Sequence, residues 1–363
     1  MKRIFLIINF IMVSILLSAC QESPLNLTRK TIAISTMNTF IEGYVYVENH
    51  KWPEVFEHIK DIYQTYHVLT DNYIPQEDGV KGIYYINQLV DQSQEAKTVE
   101  IEYELYELLE QGLYIRELTG GYFDMAQGKL IDVWKNFIDE YDVAEEVSSE
   151  AVSLVTNLAN ETPIIEDALS LSQVDGKYYV TLKYGAKIDL GAIAKGFATQ
   201  KVANYLNELG YKEFLINGGS SSIVFGEGNR RNEEGVFNFG LKDPLDVVEN
   251  LDIFGHEAKL YAIYSGINSN VTTSGSYEQF IKHQGTWFHH IISPITKKPE
   301  NHYLSITVTA NDAGLMDGLS TALFSMPIEM IKEVLKDTDI EAIIYTFEGE
   351  IIRVNPTERI RIL

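Results

Sequence analysis

The chain has 363 residues, with 52 acidic side chains against 29 basic ones and a formal net charge of −23. So acidic a surface argues against nucleic acid as a partner and against a polybasic grip on anionic lipid, since both need clustered positive charge. Its one cysteine, Cys20, can form no internal disulfide.

The first twenty residues read as a leader. Lys2 and Arg3 open it, Ile4 to Leu17 form an apolar run, and L-S-A-C closes it at Cys20. The run is too short to cross a bilayer and ends in small residues, as a cleaved signal does. The L-S-A-C box resembles a bacterial lipoprotein signal, so residues 1–19 are expected to be removed and Cys20 lipidated. The alternative is an ordinary secretory signal with an incidental cysteine. Losing Lys2 and Arg3 takes the charge from −23 to −25. Residues 20–31 then form a polar tether, and 32–363 a single α+β domain with mixed sheet and two lobes.

In chain order, Ile32 to Val47 is strand-like and broken at MNTF. WPEVFEHIKDIYQTYHVL has apolar residues at helical spacing and Pro53 in its first turn. TDNYIPQEDGVKGIYYINQ is read as a turn-rich loop carrying aromatics. Residues 98–117 read as helix ending at Gly120 and Gly121, and Asp139 to Pro163 as an acidic surface excursion. A hairpin is expected at Asp175-Gly176, running into KIDLGAIAKGFATQ. The helix after Lys195 shows Ala198, Val202, Tyr205 and Leu209 on one face and closes at Gly210. KEFLING is a strand, a β-rich half follows, and MDGLSTALF starts a helix closed by Pro327.

Several stretches could carry chemistry. KIDLGAIAKG sets Asp189 and Lys195 around small residues, but it is neither a Walker loop nor G-x-G-x-x-G. Asp317 and Thr321 are four apart and share a helix face. A carboxylate and a hydroxyl there suit a hard cation such as Mg²⁺; the alternative is a helix-start aspartate beside a core threonine. Alternation sends His289 and His290 to opposite faces, so one of them can be an acid/base group and the other a structural residue. No histidine spacing suits zinc. VTTSGSYEQ lacks a G-x-S-x-G elbow, and Ser274-Gly275 is read as a turn whose amides could face an anion. In GYFDMAQG, Tyr122 and Phe123 could pack on a planar ring or plug the core.

Taken together, MNTF, TGGYFDMAQGKLIDVW, KIDLGAIAKGFATQKVANYL, FLINGGSSSIVFG, FGLKDP, TTSGSYEQF, HHIISPITKKP and MDGLSTALF resemble the ApbE family, the FAD:protein FMN transferases, over nearly the whole mature chain. The resemblance implies a T-fold-related two-lobed domain that binds FAD as substrate with Mg²⁺. It implies transfer of FMN to a threonine or serine hydroxyl of an exported acceptor protein, with AMP leaving. Carried over by motif, Ala192 (through its carbonyl), Asp317 and Thr321 become metal ligands. Met37, Tyr122, Phe123, Asp124, Asp189, Lys195, Ser274 and Gly275 become flavin-nucleotide contacts, and His290 becomes the base. A protein lipidated at Cys20 would sit outside the cytoplasm on the cell membrane. The small residues of KIDLGAIAKG are then expected to let FAD lie against the backbone.

The sequence departs from the family pattern in places. Ser293 stands where relatives have aspartate or asparagine, NGGSSS replaces N-x-G-G-[DN], and TGG replaces T-D-G at Gly120. An aromatic contact could come from Tyr73. A Mg²⁺-dependent FAD pyrophosphatase giving free FMN and AMP would use the same residues. A third reading is a non-catalytic flavin-binding lipoprotein, against which the Asp317–Thr321 pair argues, because simple binding needs no metal on the pyrophosphate.

Overall fold

A computed structural model describes residues 26–76, 79–219, 222–251, 253 and 255–363. The leader and Cys20 lie outside these residues, as do Ser220 and Ser221 of the NGGSSS stretch. The elements are β1 (Leu27–Thr36), β2 (Thr39–Glu48), α1 (Trp52–Thr70), α2 (Ile83–Ser93), β3 (Lys97–Ile101), α3 (Tyr103–Leu118), α4 (Gly128–Ile138), α5 (Ser149–Glu161), β4 (Leu169–Val174), β5 (Lys177–Leu182), α6 (Ala194–Glu208), β6 (Phe214–Asn217) and β7 (Ser222–Phe225). There follow β8 (Phe237–Lys242), α7 (Pro244–Glu249), β9 (Leu260–Gly266), β10 (Ser269–Gly275), β11 (Phe280–His283), β12 (Thr286–His289), β13 (Ser305–Thr309), α8 (Ala313–Phe324), α9 (Ile328–Val334), β14 (Glu341–Tyr345), β15 (Ile351–Val354) and β16 (Ile360–Ile362).

The frame is an eight-stranded sheet ordered β1-β2-β6-β7-β10-β13-β14-β15, antiparallel at every step. On one face, Ile41, Val45 and Ile216 pack with residues of α1 and α6, and Ile306 and Ile344 with Met316, Leu319 and Leu323 of α8. On the other, Tyr44, Phe225 and Val271 meet Phe237, Tyr264 and Ile360 of the three-stranded sheet β16-β9-β8. Strands covered on both sides lose the in-out alternation of half-exposed ones. Accordingly SITVT of β13 and EAIIY of β14 are buried at every position. The class is α+β as expected; among the described residues the named strands pair antiparallel rather than in the mixed sheet expected, and parallel pairing is limited to isolated bridges at Gln127–Lys187 and Glu146–Lys282.

A smaller lobe, built from α4, α5 and the β11–β12 hairpin, has its own cores. One gathers Leu130, Trp134, Val155 and Ala159 with Phe288 against them, and the other Ile138, Val147 and Ile281. Trp134 stacks on Phe288 with ring centroids 5.6 Å apart, and its Nε1 donates to the Lys297 carbonyl at 2.8 Å.

Some sequence expectations change. The expected tether overlaps β1, because Leu27 to Thr31 already pair with β2; the polar T-R-K-T belongs to an edge strand with solvent on one side. MNTF is a two-residue hairpin turn, with Met37 and Asn38 both left-handed (φ 50° and 54°). GIYYINQ opens α2 rather than ending a loop, and Lys97–Ile101 forms β3 where helix was expected. The acidic excursion contains α5, which Ser148 caps by accepting from the Ala151 amide at 3.2 Å. Ser274 and Gly275 do not form a turn but end β10, paired with Ile306 and Ser305.

The two helices that begin in the D-L-G-A-I-A-K-G segment and carry the M-D-G-L-S-T segment cross at Gly196. Its amide, in the first turn of α6 where no intrahelical acceptor exists, donates to Asp317 Oδ2 at 2.8 Å. A Cβ on Gly196 would stand 2.5 Å from the Ala313 carbonyl and 2.5 Å from Asp317 Cβ. Glycine is therefore needed here by helix packing, not by a ligand lying on the backbone. Gly196→Ala is predicted to cost about 1–3 kcal/mol of stability through overpacking, read by denaturant unfolding; an unchanged midpoint would contradict the tight crossing.

Candidate active site

The turn leading into α6 is pinned from behind. Asn87 brackets Ile188, donating to its carbonyl and accepting from its amide, both at 2.8 Å. The Asp189 amide donates to the Met125 carbonyl at 2.8 Å. The Asp189 carboxylate accepts from the Gly191 amide at 2.9 Å and from Asn72 Nδ2 at 3.0 Å. It thus closes its own turn and ties it to the loop after α1. Lys195 reaches back to the Gly191 carbonyl at 3.3 Å and makes no ion pair with a carboxylate among the described residues. In a chain so rich in carboxylates, a lysine left without one at a cleft wall is a ready anion partner.

Asp317 is 5% exposed, and besides Gly196 it accepts from Ser222 Oγ of β7 at 3.2 Å. It is not a helix-start aspartate. Asp312 holds that position and accepts from the Leu315 amide at 2.9 Å. Asp317 sits in the helix interior, and Thr321, one turn on, donates to its carbonyl at 3.2 Å. Ser320 Oγ lies 2.8 Å from Ser274 Oγ, which joins α8 to the end of β10.

These elements enclose a cleft of about 390 Å³. One side carries Gly191, Ala192 and Lys195, the floor Asp317 and Thr321, and the end of β10 Ser274 and Gly275. The smaller lobe supplies Ile131, Lys135 and Ile138 of α4, with Glu278, Gln279 and His290 nearby. A second compartment of about 270 Å³ adjoins it, lined by Met37, Asn38, His67 and Asn72. Tyr73, Asp189, Gly191 and Lys195 line both, so an extended ligand could run from one to the other.

Met37, Asp189, Ala192, Lys195, Ser274, Gly275, His290, Asp317 and Thr321 are therefore brought to one continuous space. Tyr122, Phe123 and Asp124 line neither compartment. Phe123 is buried in the main core, with Tyr122 packed against it. Asp124 pairs with Arg116 Nε at 3.0 Å and accepts from the Ala126 amide at 2.9 Å. This run supports the site from behind, through the Met125 carbonyl that holds Asp189. Ser293 is buried and shapes the turn after His290, its carbonyl accepting from the Lys297 amide at 2.9 Å. Sequence reasoning missed Lys135, Gln279 and Asn72, which are ordinary polar residues whose placement depends on long-range packing.

The histidines divide as their alternation requires. His289 is fully buried, its Nε2 facing the Glu300 carbonyl at 3.0 Å while Nδ1 accepts from the Ile291 amide at 3.2 Å. Burial pushes its pKa down to about 3, so it is a neutral structural group. His290 lines the cleft and is exposed there. Lost hydration holds its pKa below the ordinary value; a hydrogen bond with the Gln279 backbone opposes this in part, and the charges of Lys195 and Lys135 add to the lowering. Glu278 is shifted upward by the same loss of hydration, against the pull of Lys242 and Lys195.

Among the described residues no three His, Cys, Asp or Glu side chains cluster to hold a metal. Asp317, Thr321 and Ala192 nonetheless all line one cleft, and between them they can offer hard oxygen donors: a carboxylate, a hydroxyl and a backbone carbonyl. That set fits a divalent cation which keeps some water or phosphate oxygens as further ligands.

The model of the ApbE family matches residues 37–344. The chain is 28% identical over 275 residues to the FAD:protein FMN transferase of Treponema pallidum, covering 73% of this chain and 72% of that one. It is 30% identical over 244 residues to one from Klebsiella pneumoniae, covering 66% and 67%. Among solved structures it resembles the flavin transferase ApbE from Vibrio cholerae, with a TM-score of 0.67 at 20% identity over 90% of this chain and 97% of that one. It also resembles the ApbE protein from Thermotoga maritima, with a TM-score of 0.68 at 22% identity and the same coverage. The structural likeness establishes the fold, and the family match spans both sides of the cleft, so the protein is an enzyme of the ApbE family.

Proposed function

We propose that the protein transfers FMN from FAD to a threonine or serine hydroxyl of an exported acceptor protein, dependent on Mg²⁺ and held at the membrane by a lipid on Cys20. The observation that carries this reading is the meeting, in one cleft, of an all-oxygen donor set, a lysine without a carboxylate partner and a histidine kept neutral. The relatives named FAD:protein FMN transferase support it. The sequence features of the leader support the membrane location.

In the proposed step the acceptor oxygen bonds to the FMN-side phosphorus of FAD. The bond from that phosphorus to the bridging oxygen breaks, and AMP leaves with the bridging oxygen. The hydroxyl proton passes to the ring of His290. Lys195 faces the anionic pyrophosphate. Mg²⁺, held by Ala192, Asp317 and Thr321, would neutralise charge on the pyrophosphate oxygens. The two compartments divide the long dinucleotide between them, which fixes where its phosphorus stands relative to His290; positioning of this kind supplies much of the rate in phosphoryl transfer.

The test is to incubate the protein with FAD, Mg²⁺ and an exported flavoprotein acceptor, then follow acceptor mass and nucleotide products. Acceptor mass gain with AMP supports transfer; free FMN with an unlabelled acceptor favours hydrolysis, and intact FAD overturns both. Asp317→Asn, which keeps the shape but removes the charge, is predicted to lower turnover roughly 10²–10³-fold without recovery at high Mg²⁺; wild-type rates would refute the metal assignment. Because the His290 pKa lies below its ordinary 6.5, the base form persists into mild acid. The kcat/KM profile is expected to stay flat through neutral pH and to fall only below 6.5. His290→Gln should lower the rate roughly 10²–10⁴-fold and remove that acid limb, whereas an acid limb unchanged in the variant would exclude His290 as base.

A further inference from the structure

We infer that Ser222 is a positioning residue for Asp317: a buried stripe of hydroxyls on β7 and β10 fixes that carboxylate for the cation, and Ser222 is the member that touches it. Alternate side chains of a strand share a face, so Asn270, Thr272 and Ser274 of β10 point the same way. Thr272 stands directly opposite Ser222 of β7 in the sheet register, and their hydroxyls are 3.4 Å apart. Ser222 Oγ donates to Asp317 Oδ1 at 3.2 Å. Two residues along β10, Ser274 Oγ lies 2.8 Å from Ser320 Oγ, which donates to the Asp317 main-chain carbonyl at 3.0 Å. The stripe therefore grips the same residue twice, at its side chain and at its backbone. Its far end is anchored as well. Asn270 Nδ2 donates to the Ala310 carbonyl at 2.7 Å, which leaves its Oδ1 to accept from Thr272 at 3.4 Å.

As packing, this stripe is out of place. Ser222, Asn270 and Thr272 are fully buried. Opposite Thr272 and Ser274 on β13 stand Val308 and Ile306, which pack with Met316, Leu319 and Leu323 of α8. Burying a hydroxyl costs free energy that only a hydrogen bond offsets. A face built for stability alone would continue with the aliphatic side chains of β13.

What hydroxyls supply here, and valine or isoleucine cannot, is donors to a carboxylate. The Gly196 amide holds Oδ2. One anchored oxygen leaves the group free to turn about that bond, whereas a second donor on Oδ1, from a different element, fixes its plane. A carboxylate only accepts, so the Ser222 proton is committed to Asp317, and Thr272 can donate in turn to Ser222. Each bond in such a chain strengthens the next.

The inference rests on reading Asp317 as a metal ligand, and its test reads metal binding rather than turnover. Mn²⁺ is titrated into the protein without FAD and followed by electron paramagnetic resonance. Asp317→Asn identifies the site, and thermal unfolding in metal-free buffer monitors the fold. Ser222→Ala is expected to weaken Mn²⁺ binding roughly 10–100-fold, as loss of a group that orients a ligand does. Thr272→Val, which keeps the shape and removes the outer donor, should weaken it by less. Ile306→Val thins the apolar contact with α8 but touches no hydroxyl, so it should leave the affinity unchanged. In turnover, the Ser222→Ala loss should appear in the Mg²⁺ concentration needed for half-maximal rate, with kcat recovered at saturation. Wild-type affinity in Ser222→Ala, or an equal loss in Ile306→Val, overturns the inference. If Ser222→Ala does not fold, Thr272→Val decides in the same way. A wild-type protein with no Mn²⁺ site sensitive to Asp317→Asn would instead sink the metal reading itself, and this inference with it.

Discussion

The structure turns on one hydrogen bond between two helices that are distant in sequence. The first-turn amide of Gly196 in α6 has no acceptor inside its own helix, and the Asp317 carboxylate of α8 lies 2.8 Å away. Burying a carboxylate to 5% exposure is costly unless donors replace its lost water. Gly196 and Ser222 supply two, and a Cβ at residue 196 would stand 2.5 Å from both the Ala313 carbonyl and Asp317 Cβ, so the helices could not close to this distance. The contact fixes Thr321 one turn along α8 and Ala192 in the turn before α6. The helix crossing and the candidate site thus share Asp317.

The cleft exists because two separately packed bodies face each other. The large sheet with α1, α6 and α8 gives a rigid floor, while α4, α5 and the β11–β12 hairpin bring a second wall with its own small cores. Asp189 serves both compartments because its carboxylate is already satisfied by Gly191 and Asn72. Lys195 differs, since its charge has no carboxylate partner in the described structure. The cleft itself is of mixed charge, with Lys135 and Lys195 facing Asp189, Glu278 and Asp317. What suits it to an anion is Lys195 in particular, acting at short range where screening is weak.

Much of the fold was legible from periodicity and turn chemistry. The helical spacing of WPEVFEHIKDIYQTYHVL gave α1, and Asp175-Gly176, both left-handed, gave the β4–β5 turn. The four-residue spacing of Asp317 and Thr321 put them on one face, and alternation separated His289 from His290. What was missed depended on tertiary context. Lys97–Ile101 becomes a strand only because β5 pairs with it, and the acidic segment around α5 hides a narrow apolar face at Val155 and Ala159. Tyr122 and Phe123 resemble ring-stacking groups in sequence, yet they pack into the core, and Asp124 is drawn to Arg116. Gly196 was assigned to ligand approach when helix packing already demands it. Composition near a motif reveals that a backbone must come close to something, but not what it approaches.

The central claim is that the α6–α8 crossing presents Asp317, Thr321 and the Ala192 carbonyl to a divalent cation on the FAD pyrophosphate. Its most direct test is a crystal of the protein grown with FAD and Mn²⁺, with anomalous data collected at the manganese edge. The account predicts one strong peak within ligand distance of those three oxygens and of the pyrophosphate. FAD bound in the cleft with no peak there, or with the metal held by other residues, would contradict it.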